Sequence, residues 1–326
     1  MYRIDDPSAS TTLPTPEAAT AEGYWTEGNP GSGIPATLER ASWFNMIQEE
    51  LRAIVTAVGI TPSKTTYNQV LTAIKTLIST QVATVSGVVG QSRNAKMSIG
   101  AVSATAAFNA DEVIVETALG GVRYCLPSQG YSINLATVGA GGMDTGSAPA
   151  SGFIALYAIF NPSSGVANII GTNATAARAP EVYGGTHMPA GFTASALISV
   201  WPTNASGQFI IGTMTERKVR FAPSVQVLNF SGPQASLTPV SLANAIPKNA
   251  GAVTGFAQVG TTSAGNTTLI FSDSNGAGVN QFGYAAAQGN TFSFRQELAA
   301  AQTMNYSVGT SAGTLTTVIN ITGYDF

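Results

Sequence analysis

From about residue 86 onward the chain is a succession of short apolar or alternating runs: DEVIVETAL, GVRYCLP, YSINLATV, GFIALYAIFN, ANIIGT, SALISVWPT, GQFIIGTM and RKVRFA. They recur roughly every 10 to 20 residues with Gly, Pro, Asn or Ser between them, the pattern of an antiparallel sandwich or barrel. FIALYAIF, Phe153 to Phe160, is apolar on both faces and is predicted to be a central strand. A last block, Ala222 to Phe326, has the same texture in SVQVLNF, TTLIFSD, NTFSFRQ, MNYSVG and GTLTTVINIT. Its final run puts Leu315, Thr317, Ile319 and Ile321 on one face and Thr316, Val318, Asn320 and Thr322 on the other. Between the blocks, SGPQASLTPVSLANAIPKNAG has no strand pattern. The expected division is therefore a β-rich middle domain (86–221) and a C-terminal β-rich domain (222–326), although the same stretch suits a long loop within one domain.

The first 85 residues follow a different rule. Residues 1–36 carry Pro7, Pro14, Pro16, Pro30 and Pro35 among small residues, with no apolar period, and are predicted to form an extended arm. Tyr24 and Trp25 sit together in it, placed either to dock on another surface or to pack back onto the helices that follow. RASWFNMIQEELRAIVTAVG, Arg40 to Gly59, spaces Phe44, Ile47, Leu51, Ile54 and Val58 along one helical face and ends on a capping glycine. TPSKTTYNQVLTAIKTLI restarts the pattern at Thr61–Pro62, with Tyr67, Val70, Leu71, Ile74, Leu77, Ile78 and Val82 on a second face. A helical segment over 37–85 buries too little to stand alone. It packs either on its own chain or on copies of itself, since 67, 71, 74, 78 and 85 keep heptad spacing with Gln81 breaking the row.

Composition narrows the chemistry. Only 10% of residues are charged and the formal net charge is −3, so no basic surface suits a phosphate backbone and nucleic acid is not an expected partner. The single Cys125 rules out an intrachain disulfide framework, and the single His187 rules out a two-histidine metal site within one chain. A threefold site with one His187 from each of three chains remains an alternative to a loop histidine. Asp5 and Asp6 stand where a secretory signal needs an apolar run, and no stretch reads as membrane-spanning, so a soluble chain without an export signal is expected. Asn-x-Ser/Thr sequons at Asn173, Asn204, Asn229, Asn266, Asn305 and Asn320 then carry no meaning. GAGGMDTG (139–146) lacks the Lys-Ser/Thr of a phosphate loop, and DSNGAG (273–278) misplaces the glycine and glutamate of a calcium loop, so both read as turns. Residues 221–326 hold five charged residues, Lys248, Asp273, Arg295, Glu297 and Asp325, a poor source for a glycosidase carboxylate pair. The middle block offers Asp111, Glu112, Glu116, Asp144 and Glu181, three of them on or beside one strand. No catalytic residue, metal or cofactor is expected.

The opening MYRIDDPSASTTLPTPEAATAEGYWTEGNPGSGIPATLERASWFNMIQEELRAIVTAVGITPSKTTYNQVLTAI resembles the N-terminal segment of tail fibres from contractile-tailed phages, related prophages and phage-tail-like bacteriocins. The middle, with RYCLPS, GAGGMDTG, FIALYAIFNP, APEVYGG and MPAGFTASALISVWPTN, is also similar to a segment of such fibres. The resemblance implies a fibrous homotrimer, mainly β. An N-terminal arm would attach to the tail or baseplate, a short α-helical trimerisation neck would follow, and a C-terminal tip would bind a bacterial surface receptor, a glycan or a protein. It places the neck at Phe44, Ile47, Leu51, Ile54, Tyr67, Leu71, Ile74 and Ile78, and attachment at Tyr2, Arg3, Tyr24 and Trp25. It implies a virion protein made in the host bacterial cytoplasm, with no membrane insertion. A tip with few charges would bind lipopolysaccharide or another glycan through aromatic faces and neutral polar groups. The candidates are Asn280, Gln281, Phe282 and Tyr284 on the GVNQFGYAAAQGN loop, with Tyr306 and Tyr324. A capsule-degrading tailspike and an adaptor carrying another fibre are the competing readings.

Overall fold

The computed structural model describes the backbone of residues 1–83, 87–285 and 289–326, and side chains outside 79–86 and 285–288. The chain divides into two compact units, Met1–Val85 and Ser86–Phe326.

In the first unit, the arm up to Arg40 has one short 3-10 turn, Pro30–Ser32, closed by Gly33 at φ +69. Helix α1 spans Ala41–Ala57, rich in Ala, Leu, Met, Gln and Glu. It stops because Gly59 takes φ +76, a left-handed conformation that costs glycine little. Helix α2, Gln69–Ala83, begins several residues later than the sequence suggests. The Ser63 N–H donates to Gln69 Oε1 (2.9 Å) and Gln69 Nε2 donates to the Thr61 carbonyl (2.9 Å), so a buried glutamine closes the 61–68 turn and takes over the hydrogen bonds a first helical turn would make. Tyr67 therefore lies outside the helix, 97% exposed, a correction to its placement on the helical face. The two helices pack together through the fully buried Val55 and Ala73. The side chains of Gln81, Val82 and Val85 lie outside the described residues.

The second unit is built of antiparallel strands: β1 (Ser92–Arg93), β2 (Lys96–Ile99), β3 (Thr105–Glu116), β4 (Arg123–Asn134), β5 (Phe153–Asn161), β6 (Val166–Asn173), β7 (Ala194–Pro202) and β8 (Gly212–Thr215). There follow β9 (Lys218–Ser231), β10 (Gln234–Ser241), β11 (Ala252–Thr261), β12 (Asn266–Ser272), β13 (Asn280–Ala285), β14 (Asn290–Glu297), β15 (Thr303–Thr310) and β16 (Leu315–Asp325). Among the described residues one sheet runs β14-β11-β16-β9-β8-β2-β3-β7-β5-β6, with β1 and β4 also on β3, and a second runs β10-β15-β12-β13. The chain is thus mainly β, as its alternation predicts.

Strand β9 crosses the 221/222 boundary drawn from the sequence and joins β8 to β16 in one sheet, so residues 86–326 are one unit rather than two. The second sheet covers the inner face of β14-β11-β16-β9, with Phe271 on Phe294 (4.5 Å) and Phe230 on Tyr306 (6.2 Å) spanning the gap. That arrangement is a sandwich. Strand β5 lies between β7 and β6 with both faces buried, Ile154, Leu156 and Ala158 in the main core and Phe153, Ala155, Tyr157 and Ile159 in a second one. Strand β10 occupies part of the stretch that shows no strand pattern. It is an edge strand, where Pro239 removes no ladder that the sheet needs.

Candidate functional site

In the N-terminal unit, the residues expected to attach the chain line two grooves. The arm folds onto α1 and the turn that follows it, where Arg3 and Asp5 find partners. The Arg3 guanidinium forks onto Glu49 (2.6 and 2.7 Å), the Ile4 N–H donates to Gln48 Oε1 (2.7 Å) and Lys64 pairs with Asp5 (2.6 Å). Hydrogen bonding to Arg3 is the main cause that holds Glu49 below the usual carboxylate range. Farther along, Glu17 accepts from the Ser42 hydroxyl (2.9 Å), and Trp25 meets Trp43 edge to face at 5.4 Å.

Tyr24 and Trp25 line a groove of about 710 Å³ together with Leu13, Leu38, Trp43 and Met46. Tyr2 and Arg3 line another, of about 610 Å³, with Phe44, Ile47 and Val70. Tyr24 is 98% exposed, while Trp25 and Tyr2 are about half exposed. Leu13, Leu38 and Met46 were not among the expected attachment residues. Their signal was available, since an isolated leucine in a Pro-rich arm has no core of its own to enter.

The helical face expected to meet other copies is open in the single chain. Leu71, Ile74 and Ile78 are 56%, 40% and 58% exposed and Phe44 is 49% exposed, whereas Ile47, Leu51 and Ile54 are half-buried. Leu71, Ile74 and Ile78 keep the three-four spacing of a coiled-coil seam.

In the second unit, the receptor candidates do not form one surface. What was read as a loop is the edge strand β13, with the first residue of β14 at its far end. The Asn280 amide is spent inside the protein, donating to Gln296 Oε1 (2.8 Å) and the Arg295 carbonyl (3.2 Å). Phe282 and Tyr284 are half-buried around Phe292 (5.0 and 6.1 Å), and the Tyr284 hydroxyl donates to the Val259 carbonyl (2.9 Å). Gln281 alone of this group is exposed.

Tyr306 and Tyr324 are corrected outright. Tyr306 is 3% exposed in the sandwich core. Tyr324 is fully enclosed with its hydroxyl on the Val200 carbonyl (2.5 Å), and burial pushes its pKa well up. Neither can touch a ligand.

The two glycine-rich segments are turns, as their sequences suggest. In 139–146, Met143 bridges to Gly171 and the Asp144 N–H donates to the Gly171 carbonyl (2.7 Å), so the glycine-rich run is a turn laid along β6. Asp273 Oδ1 accepts from the N–H groups of Asn275 and Ala277 (both 2.8 Å) and Gly276 has φ +83, which makes DSNGAG the β12–β13 hairpin turn. Asp144 accepts from the Tyr183 hydroxyl (2.9 Å), and burial, aided by that bond, pushes Tyr183 up to about 12. His187 is exposed, with its N–H on the Tyr183 oxygen (3.3 Å). Glu116, nearly fully buried, is held by Arg123 (2.6 Å) and the Gly120 N–H (3.0 Å), closing the β3–β4 turn. Among the described residues no group of three or more His, Cys, Asp or Glu is placed to hold a metal, and no helix is long and apolar enough to cross a membrane.

The chain is 40% identical over 78 residues to the Mu-like prophage FluMu defective tail fiber protein of Haemophilus influenzae. Over that stretch it is similar to phage tail fibres. It is also 36% identical over 78 residues to the uncharacterized protein StfP of Escherichia coli. Each match takes in 24% of this chain, and the chain covers 12% and 35% of the lengths of these two relatives. No protein-family model matches. Among solved structures, a Bacillus thuringiensis Cry1Da tryptic core variant covers 76% of this chain and 54% of its own length at 8% identity and a TM-score of 0.16, too low to relate the folds. The tail-fibre likeness is therefore confined to a fraction of the chain, and most of the β-unit has no counterpart in the matched segments.

Proposed function

We propose that this chain is a phage tail fibre, a component of the virion. Its arm attaches to the tail or baseplate, its helices assemble three copies, and its β-unit binds a receptor on the bacterial surface, a lipopolysaccharide or another glycan. The observation that carries the reading is the likeness to a prophage tail fibre. The rest is consistent with it. Apolar stripes left open on α1 and α2 suit assembly with further copies, because a soluble chain gains about 1.5–3 kcal/mol for each large apolar side chain it covers. The aromatic grooves at Tyr2, Tyr24 and Trp25 suit docking on a tail component. A low-charge β-surface suits recognition of sugars through neutral hydrogen-bonding groups.

Labelled full-length chain mixed with bacterial cells tests the reading. Saturable adhesion, competed by unlabelled chain and by extracted surface polysaccharide without release of reducing ends, is the expected result. Release of reducing ends would replace the binding reading by a degradative one, and no adhesion to any strain would remove the receptor-binding role.

A further inference from the structure

The outer face of the sheet β14-β11-β16-β9 carries the side chains that β13 lacks. Cross-strand register fixes two rows on it. One runs Asn229, Val318, Gln258, Thr291, and the next runs Gln226, Asn320, Phe256, Ser293. Gln226, Asn229, Gln258, Thr291 and Ser293 are exposed, while Val318, Asn320 and Phe256 are half-buried. Adjacent strands stand about 4.8 Å apart, so each row spans about 14 Å over three gaps.

The hydrogen-bonding capacity of this face is unspent. Among the described residues, none of the four amides Gln226, Asn229, Gln258 and Asn320 makes a side-chain hydrogen bond within the protein. Several amides elsewhere are taken up by the fold: Asn161 caps a turn through the Ser163 and Ser164 N–H groups, Asn204 through Ser206 and Gln208, and Asn249 ties down Ala179, whereas others among the described residues, such as Asn109 and Gln281, are unspent but stand singly. The rows hold no charged side chain. The nearest cation along β14, Arg295, is neutralised by Asp325 (3.0 Å) and Glu297. Phe256 offers a flat apolar patch with Asn320 on one side and Ser293 on the other.

We propose that this face is a binding platform for a neutral glycan. Amides that donate and accept match sugar hydroxyls, and an aromatic face between them matches the apolar face of a pyranose ring. An acidic polymer would need an unpaired cation, which the rows do not provide. The proposal rests on the receptor-binding reading and relocates the contact from β13 to the outer sheet.

The test uses the full-length chain on an array of purified, lipid-free bacterial O-polysaccharides, neutral and acidic, beside adhesion of labelled chain to the source cells. The chain is expected to retain neutral polysaccharides. Gln258→Ala with Asn320→Ala should weaken retention roughly tenfold or more at unchanged melting temperature. Phe256→Leu, which keeps an apolar group but not the flat face, should weaken it as well, and Gln281→Ala on β13 should not. Retention of acidic polymers alone, retention of no neutral polysaccharide, or equal retention by the folded double variant overturns the platform. If wild type and double variant adhere equally to cells, the platform falls and the receptor reading stands. If neither adheres and nothing is retained, both fall.

Discussion

Changing Leu71, Ile74 and Ile78 together to Gln tests the helical assembly most directly. These side chains are 56%, 40% and 58% exposed in the single chain, so the substitutions remove little packing from one copy, and Gln is about as good a helix former as Leu. Full burial of such a side chain is worth about 1.5–3 kcal/mol, and covering the exposed half contributes about 1 kcal/mol. Three side chains in each of three copies then give about 9 kcal/mol per trimer, or roughly six powers of ten in its dissociation constant. Light scattering across a concentration series is the assay. Wild type is expected at three times 33.3 kDa and the variant at one chain mass, with the same melting temperature for the β-unit. A wild-type monomer at all concentrations, or a variant that stays trimeric, would refute the assignment of this stripe to an inter-chain seam.

Four further outcomes follow from the β-unit. Tyr324→Phe removes a buried hydrogen bond of 2.5 Å to Val200 that ties β16 to β7, and should cost about 1.5 kcal/mol, a fall of roughly 3–6 °C in Tm by calorimetry. Gly255→Ala drives a methyl group into the Asn320 carbonyl at a bulge between β11 and β16, and should destabilise by about 2 kcal/mol or more in denaturant titration. Asp273→Ala frees two turn N–H groups and should cost about 1 kcal/mol, while added calcium leaves the Tm of wild type unchanged. Tyr183 has its folded-state pKa raised from 10.0 to about 12, so the unfolded chain loses this proton first. Its contribution is intact below pH 10 and is lost as pH rises toward 12, a loss that Tyr183→Phe should lessen in a Tm-against-pH series.

Much of the β-architecture was legible because alternation and burial agree. FIALYAIF declared itself a two-faced strand, and the final run put Leu315, Thr317, Ile319 and Ile321 on one face, which is the buried one. The strand boundaries were less legible because proline was read as punctuation. Pro127 lies in β4, which pairs only with β3, and Pro239 lies in the edge strand β10. Pro223 sits in β9 just past the last residue paired with β8. Each occupies a position where at most one ladder needs the backbone, so the strand runs through it. In the helical unit, Gln69 decided where α2 starts through a side-chain bond back to the turn, which no apolar period reveals. Tyr324 was misplaced for a related reason. A register shift between Ile321 and Gly323 inverts the alternation near the end of β16, so Tyr324, outward by simple counting, turns into the core.

Low charge obliges this protein to satisfy both its loops and its surface with neutral groups, and the two uses can be told apart. An Asn or Asp at a turn spends its side-chain oxygen on nearby N–H groups, as Asn161, Asn204 and Asp273 do. The four mid-strand amides on the outer face of β9, β11 and β16 make no such bond among the described residues. Gln226, Asn229, Gln258 and Asn320 are left facing outward by the geometry of the sheet, at a spacing set by the strands rather than by flexible loops. A platform of this kind can change its specificity by exchanging outward residues on β9, β11, β14 and β16 without disturbing the inward row. On the proposed reading, recognition and stability fall to alternate residues of the same strands.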